Sequence, residues 1–141
     1  LVYLADKGGR LMPRDPARRY ECLQWVFFQM GGIGPMFGQL GFFYRFAGRD
    51  IVDKRPLERY RDETRRLLLV LEDRLGDREW MMGDEYTIAD IATFPWVRTL
   101  KVFYEAAELV GLDKMPAVLS WLDRCAARPA SQRGLNIPVR K

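Results

Sequence analysis

Few residues in this chain are able to do chemistry, and histidine is missing altogether. The 141 residues include no histidine, which is the commonest general base and a frequent metal ligand. Cys22 and Cys125 are far apart and form no Cys-x-x-Cys pair, four-cysteine zinc site or secreted disulfide framework. Both fall on apolar helical stripes, so we expect buried, unreactive thiols in a reducing, cytoplasmic setting. The sequence therefore predicts no catalytic residue and no metal site.

Arginine is the remaining candidate for binding chemistry. The formal net charge of +4 comes from arginines mixed with acidic residues and not from a block of one sign. We therefore expect no nucleic-acid partner. One helical segment carries an arginine cluster that could grip a carboxylate or phosphate bidentately: Arg55, Arg59, Arg61, Arg65 and Arg66. A solvated helix face explains the same spacing, and the spacing alone favours that explanation.

Capping residues and prolines predict where the helices that position these residues begin. Asp15 followed by Pro16 is typical of a helix start, because the carboxylate accepts from free amides and proline lacks one. Further helices are expected from near Pro56 and from Pro116, the latter ending near Arg128. No segment shows strand-like alternation over more than a few residues. The sequence predicts an all-α domain of four to five helices around one core.

The third helix start is the best marked, and prolines interrupt two of the helices. Thr87 and Asp90 form a capping box with Asp in place of Glu, so we interpret both as structural caps. Pro35 and Pro95 are expected to kink their helices. The glycines before Pro35 lack the dinucleotide-binding pattern, and they indicate a kinked backbone and close approach by another element or a ligand.

Residues 22–44 contain no charge and are long enough to cross a bilayer. Three glutamines, five glycines and a proline argue against a membrane span, and a buried central helix explains the same composition. We therefore expect no membrane partner.

The chain resembles the helical C-terminal domain of glutathione transferases, and most closely the bacterial Nu-class group with its disulfide reductases. The resemblance runs through five segments in order: LVYLADKGG, LQWVFFQMGGIGPMFGQ, LERYRDETRRLLLVLEDRL, YTIADIATFPWV and RCAARPA. It implies an all-helical bundle with kinked long helices over residues 10–141. Residues 1–9 are then expected to be the tail of the last helix of a thioredoxin-like domain, absent from this chain, plus a linker.

What the resemblance implies is a two-domain, dimeric, cytoplasmic enzyme with glutathione as cosubstrate and no metal. The absent domain would activate the thiol, whereas this chain would shape the pocket for a small electrophile or disulfide and supply homodimer contacts. The fragment alone is expected to be inactive. The alternative is a non-catalytic, transferase-like helical module for protein interaction, because a fold does not determine a function.

Matching positions imply roles for individual residues. Arg59 resembles the residue that reaches a glutathione carboxylate from the neighbouring subunit. The expected walls of the substrate pocket are Gln29, Met30, Ile33, Phe37, Trp96 and Thr99. After Gln39 the chain is apolar where the group often has Asn and paired His, which implies a more apolar pocket.

Overall fold

The computed structural model describes residues 1–135 and 137, and helices make up nearly all of their regular structure. The α-helices are α1 (Val2–Gly8), α2 (Pro16–Phe28), α3 (Gly34–Arg45), α4 (Arg55–Leu75), α5 (Ile88–Arg98), α6 (Ala107–Val110), α7 (Pro116–Ala127) and α8 (Pro129–Gly134). Short 3-10 helices span Ala47–Asp50 and Leu112–Lys114. Within the described ranges, the strand-type pairing is limited to one bridge between Trp80 and Gly83.

Five of these helices have at least 11 residues and form the bundle, which confirms the predicted all-α class: α2, α3, α4, α5 and α7. The longest, α4, contributes an apolar stripe that is entirely buried: Leu67, Leu68, Leu71 and Leu75. Positions 136 and 138–141 of the predicted domain lie outside the described residues.

The predicted helix signals at the start of α2 are present in the structure. Asp15 Oδ1 accepts a hydrogen bond of 2.9 Å from the Arg18 backbone N–H, and Pro16 is in the first turn. Before α2, helix α1 ends at Gly9. Its φ of 61° is a left-handed conformation that glycine adopts without strain. The chain therefore turns sharply between α1 and α2.

Two π-helical turns interrupt the long helices, at Gln29–Ile33 and at Thr99–Phe103. The first π-turn directly precedes Pro35, in agreement with the irregularity predicted there, since proline removes a helical hydrogen bond. The second π-turn does not coincide with Pro95, the proline that was expected to kink this helix. Pro95 lies inside α5, and the wider turn begins only at Thr99, where it carries Tyr104 against α3.

Glycines on α3 allow α5 and the second π-turn to approach its backbone closely. A Cβ atom at Gly41 would lie 2.3 Å from Cζ of Tyr104, and one at Gly38 would lie 3.8 Å from Cζ3 of Trp96. The aromatic rings occupy the space that larger side chains would need. No helix in the described part of the chain is both long and apolar enough to cross a bilayer.

A buried carboxylate joins the start of α5 to α7 and to the preceding loop. Asp90 has no exposed surface. Its Oδ1 accepts hydrogen bonds of 2.9 Å from Met81 N–H and from Trp121 Nε1–H, and its Oδ2 accepts one of 2.9 Å from Thr87 N–H. Thr87 Oγ1 in turn accepts from Ala89 N–H at 3.3 Å, so the capping box is complete. Burial raises the pKa of Asp90, and these hydrogen bonds oppose the shift.

A second carboxylate caps α7 from a different helix. Met115 precedes α7 and provides no side-chain cap. Glu72 of α4 supplies it, because its Oε1 accepts from Ala117 N–H at 3.1 Å and its Oε2 accepts from Val118 N–H at 2.8 Å. This interaction crosses the bundle and therefore ties α4 to α7.

We expect Asp90→Ala to lower the free energy of unfolding by at least about 3 kcal/mol, because Met81 N–H, Thr87 N–H and Trp121 Nε1–H lose their acceptor, as does the Thr87 hydroxyl in a longer bond, and each buried unsatisfied donor costs about 1–3 kcal/mol. Urea denaturation measures the change. Asp123→Ala, which removes an exposed carboxylate from α7, is the matched control and should be nearly neutral. Equal stability of the two variants would contradict the role assigned to Asp90.

Glu72→Ala should lower the free energy of unfolding by about 0.5–2 kcal/mol, the usual cost of a lost helix cap. Glu72→Gln should recover part of the loss, since its amide oxygen still accepts one bond. The comparison is Asp73→Ala, an exposed neighbour on α4. If Asp73→Ala proves as damaging as Glu72→Ala in urea denaturation, Glu72 does not cap α7.

Candidate functional site

The first π-turn and α5 bring Gln29 and Trp96 together next to Gly34, the first residue of α3. The Gln29 side chain is 5% exposed, and Trp96 is half-buried. A Cβ atom at Gly34 would lie 2.9 Å from Gln29 Nε2 and 3.5 Å from Trp96 Cε2. The absence of a side chain at position 34 therefore leaves room for both groups. We call the surface formed by the first π-turn, Gly34 and Trp96 the π-turn surface.

The other predicted pocket residues lie in three different environments. Met30 is 62% exposed on the outer side of the first π-turn. Ile33 and Phe37 have no exposed surface, so in this structure they are core residues behind the π-turn surface. Thr99 is half-buried and lines a separate cavity between α5 and α8.

The cavity between α5 and α8 has a volume of about 490 Å³ and was not predicted from the sequence. Among the described residues, its walls contain two arginines, Arg98 and Arg128, and no acidic residue. The Arg128 guanidinium lies 3.6 Å from the centre of the Tyr86 ring. The apolar part of the wall includes Leu11, Ile91, Phe94, Pro95 and Leu135. The lining residues on α5 are spaced by three and four positions, and this spacing was the sequence signal that could have predicted the cavity.

A second depression continues this cavity toward α1. Leu11 and Ile91 line both, and Leu1 and Leu4 of the α1 region add exposed apolar surface. Together, the cavity and the depression form a face that we call the α5–α8 face. Its apolar side chains have no covering element among the described residues.

Arg59 lies elsewhere, on the exposed side of α4 in a depression of about 580 Å³ beside Met36. It forms no hydrogen bond or ion pair with the residues that the structure describes. The neighbouring Arg66 does, because it donates to Glu63 at 2.7 Å and thereby lowers the pKa of that carboxyl. Arg59 and Arg66 line the same depression, and Arg59 is the one whose guanidinium remains available for a ligand.

The described residues offer binding surfaces and no group activated for catalysis. Burial raises the pKa of the Cys22 thiol and that of the Cys125 thiol, which disfavours the reactive thiolates. Within residues 1–135 and 137, no group of three or more potential ligands is placed to hold a metal ion. The arrangement of the described residues is suited to binding a ligand.

Comparison with known proteins places the chain in a sequence family. The model for the glutathione S-transferase C-terminal domain matches residues 36–129. The disulfide-bond oxidoreductase YfcG of Escherichia coli is 40% identical over 135 residues, which cover 96% of this chain and 60% of YfcG. The disulfide-bond oxidoreductase YghU of the same organism is 37% identical, over 95% of this chain and 46% of YghU. The chain thus spans about half to three-fifths of these relatives.

Solved structures match along nearly the whole chain. A glutathione transferase from Burkholderia graminis superposes with a TM-score of 0.96 at 62% identity, covering 100% of this chain and 59% of that protein. It holds two glutathione molecules per subunit. A glutathione transferase from Pseudomonas putida, with one glutathione disulfide per subunit, gives 0.95 at 56% identity, covering 98% and 60%.

Neither thiol should react in the folded protein, because both are buried and have raised pKa values. We expect N-ethylmaleimide to label neither Cys22 nor Cys125 under native conditions at mildly alkaline pH, and both in denaturant. Mass spectrometry of the intact protein counts the labels. Labelling of either native thiol as fast as free cysteine would contradict the assignment.

Proposed function

The chain belongs to the glutathione S-transferase C-terminal domain family, and on this basis we propose that it is the substrate-pocket and dimerisation domain of a larger glutathione-dependent enzyme. The observation that carries the proposal is the 96% coverage of this chain by a disulfide-bond oxidoreductase. Glutathione bound in the matching transferase structures supports it as cosubstrate. The enzyme conjugates glutathione to small electrophiles or reduces disulfides.

Activation of the glutathione thiol falls to a domain outside this chain. A thiol is mostly protonated near neutral pH and needs a hydrogen bond or positive field to become a nucleophile, and the described residues supply no such group beside a ligand site. We assign this role to an N-terminal thioredoxin-like domain, with residues 1–9 as the tail of its last helix and the linker. The fragment alone is then inactive.

We propose that the thioredoxin-like domain packs against the α5–α8 face. It is apolar, it adjoins α1, and it has no covering element among the described residues. Burial of such a surface contributes about 25 cal/mol per Å². The π-turn surface, with Gln29, Met30 and Trp96, then forms one wall of the substrate pocket, and Thr99 lies where the cavity meets α5. Ile33 and Phe37 stiffen the wall from the core.

A homodimer places Arg59 against glutathione of the neighbouring subunit. Its guanidinium is exposed and unpaired among the described residues, which suits bidentate binding of a carboxylate. Exposed apolar side chains of α2, Tyr20 and Phe27, offer further contact surface. We place the enzyme in the cytoplasm, and the free thiols of the two cysteines in this chain support a reducing compartment.

The alternative is a non-catalytic interaction module with the same fold. An assay of the full-length protein distinguishes the enzyme from the interaction module. The substrates are glutathione and either chlorodinitrobenzene or bis(hydroxyethyl) disulfide. Turnover of either compound above the uncatalysed rate supports the enzyme. No turnover together with no glutathione binding in calorimetry overturns it in favour of the module.

Arg59→Ala in the full-length protein should raise the KM for glutathione at least about tenfold, because a charge-assisted hydrogen bond contributes about 1.5–3 kcal/mol. The melting temperature should change little, since Arg59 forms no hydrogen bond or ion pair with the described residues and acts on Glu63 only through a weak charge interaction across an exposed surface. Arg65→Ala, which removes another exposed arginine from α4, is the matched control. A KM for Arg59→Ala equal to that of the control would remove Arg59 from the glutathione site.

A further inference from the structure

Leu11 adopts a backbone conformation that leucine rarely takes. Its φ is 67°, in the left-handed region where the Cβ atom of an ordinary residue crowds the following carbonyl oxygen. Glycine and asparagine adopt this conformation at lower cost. The conformation is fixed by the Leu11 carbonyl oxygen, which accepts a hydrogen bond of 2.9 Å from the Ile88 N–H in the first turn of α5. That bond uses backbone atoms alone, so it does not explain why the residue is leucine.

The described residues do not bury the Leu11 side chain in return for this strain. Leu11 is 37% exposed, whereas the next residue, Met12, is 9% exposed. Leu11 lines the α5–α8 cavity, the depression beside α1 and a further depression formed by residues 9–14 and 85–87. Among the described lining residues, Leu11 alone is common to all three. It therefore lies where they meet, on a face without a covering element in the described part of the chain.

The helix before Leu11 is fastened to the bundle. Ala5 of α1 is 5% exposed and belongs to the hydrophobic core. Asp6 of α1 accepts two hydrogen bonds from the Arg19 guanidinium of α2, at 2.6 and 3.0 Å. A two-point contact of this kind fixes direction as well as distance. Helix α1 is therefore held in one orientation relative to α2.

We infer that Leu11 is an anchor for the thioredoxin-like domain: its side chain packs into an apolar surface of that domain and fixes the domain's orientation on the α5–α8 face. The inference rests on the proposed function, in which residues 1–9 are the tail and linker of that domain. A strained and partly exposed leucine is stabilised when a second apolar surface covers it.

The charge of the cavity adds a feature of the docked surface. Arg98 and Arg128 line the cavity, and its described walls contain no acidic residue. Arginine pairs well with carboxylates, and docked surfaces carry complementary charges. The surface that covers Leu11 is therefore expected to present a carboxylate beside its apolar side chains.

A fixed orientation of the two domains bears on the reaction. Under the proposed function the thiolate forms in the docked domain, and the second substrate lies against this chain. The angle between the domains then sets the distance between the reacting atoms, on which the rate depends steeply. Leu11 contacts neither reactant and is a positioning residue.

Leu11→Gly in the full-length protein removes the side chain and also relieves the backbone strain, so strain cannot account for a loss. In calorimetry we expect one unfolding transition for the wild type and two for Leu11→Gly, because the uncoupled domains unfold separately. The kcat/KM for the second substrate, bis(hydroxyethyl) disulfide, should fall about tenfold, since the reacting groups are no longer aligned. Leu11→Met keeps an apolar side chain of similar size and should restore both properties.

Glu105→Gly is the matched control. Glu105 is the other described non-glycine residue with positive φ, at 56°, and it lines neither the cavity nor the depression beside α1. Its carboxylate forms an exposed ion pair with Arg45 at 3.2 Å, which contributes little to stability. Glu105→Gly relieves a similar strain and should leave a single transition and an unchanged kcat/KM.

The outcomes separate this inference from the proposed function. If Leu11→Gly behaves as Glu105→Gly does, with one transition and unchanged kcat/KM, Leu11 is not the anchor and the proposed function stands. If the wild type itself unfolds in two independent transitions, the domains are uncoupled and the inference is again overturned. Calorimetry needs no turnover, so a wild type that neither turns over substrate nor binds glutathione overturns the proposed enzyme without deciding the test of Leu11.

Discussion

The arrangement of the helices depends on one buried carboxylate, that of Asp90. Its two oxygens accept from the start of α5, from the loop before it and from the Trp121 indole on α7. A carboxylate in the core is tolerated only when its lone pairs are satisfied, so these segments are held in one relative position. The second π-turn follows at the end of α5, and its placement against α3 depends on this anchored start.

Because the start of α5 is anchored, the glycines of α3 determine how closely α5 approaches α3. Gly34, Gly38 and Gly41 present bare backbone to Trp96 and Tyr104. Close packing of aromatic rings on backbone leaves little freedom for side chains between them. The same contacts that hold the two helices together therefore confine the Gln29 amide. In this protein the candidate site is a consequence of helix packing and not a separate loop.

The described residues offer a donor for an anionic ligand and no thiol ready to react. Both thiols are buried and have raised pKa values, and the sequence lacks histidine. The exposed Arg59 forms no hydrogen bond or ion pair with the described residues, and a guanidinium of this kind can bind a carboxylate. Under the proposed function, this domain holds and orients the ligand, and another domain forms the thiolate.

The sequence by itself determined the helical class, the starts of α2, α4, α5 and α7, and the absence of histidine chemistry, because caps, prolines and periodicity act locally. Only the tertiary structure decided that Ile33 and Phe37 are core residues, that Glu72 caps α7, and that α5 and α8 enclose a cavity. Each of these depends on residues that are distant in the chain. Helical spacing specifies a face, and only packing specifies what covers it.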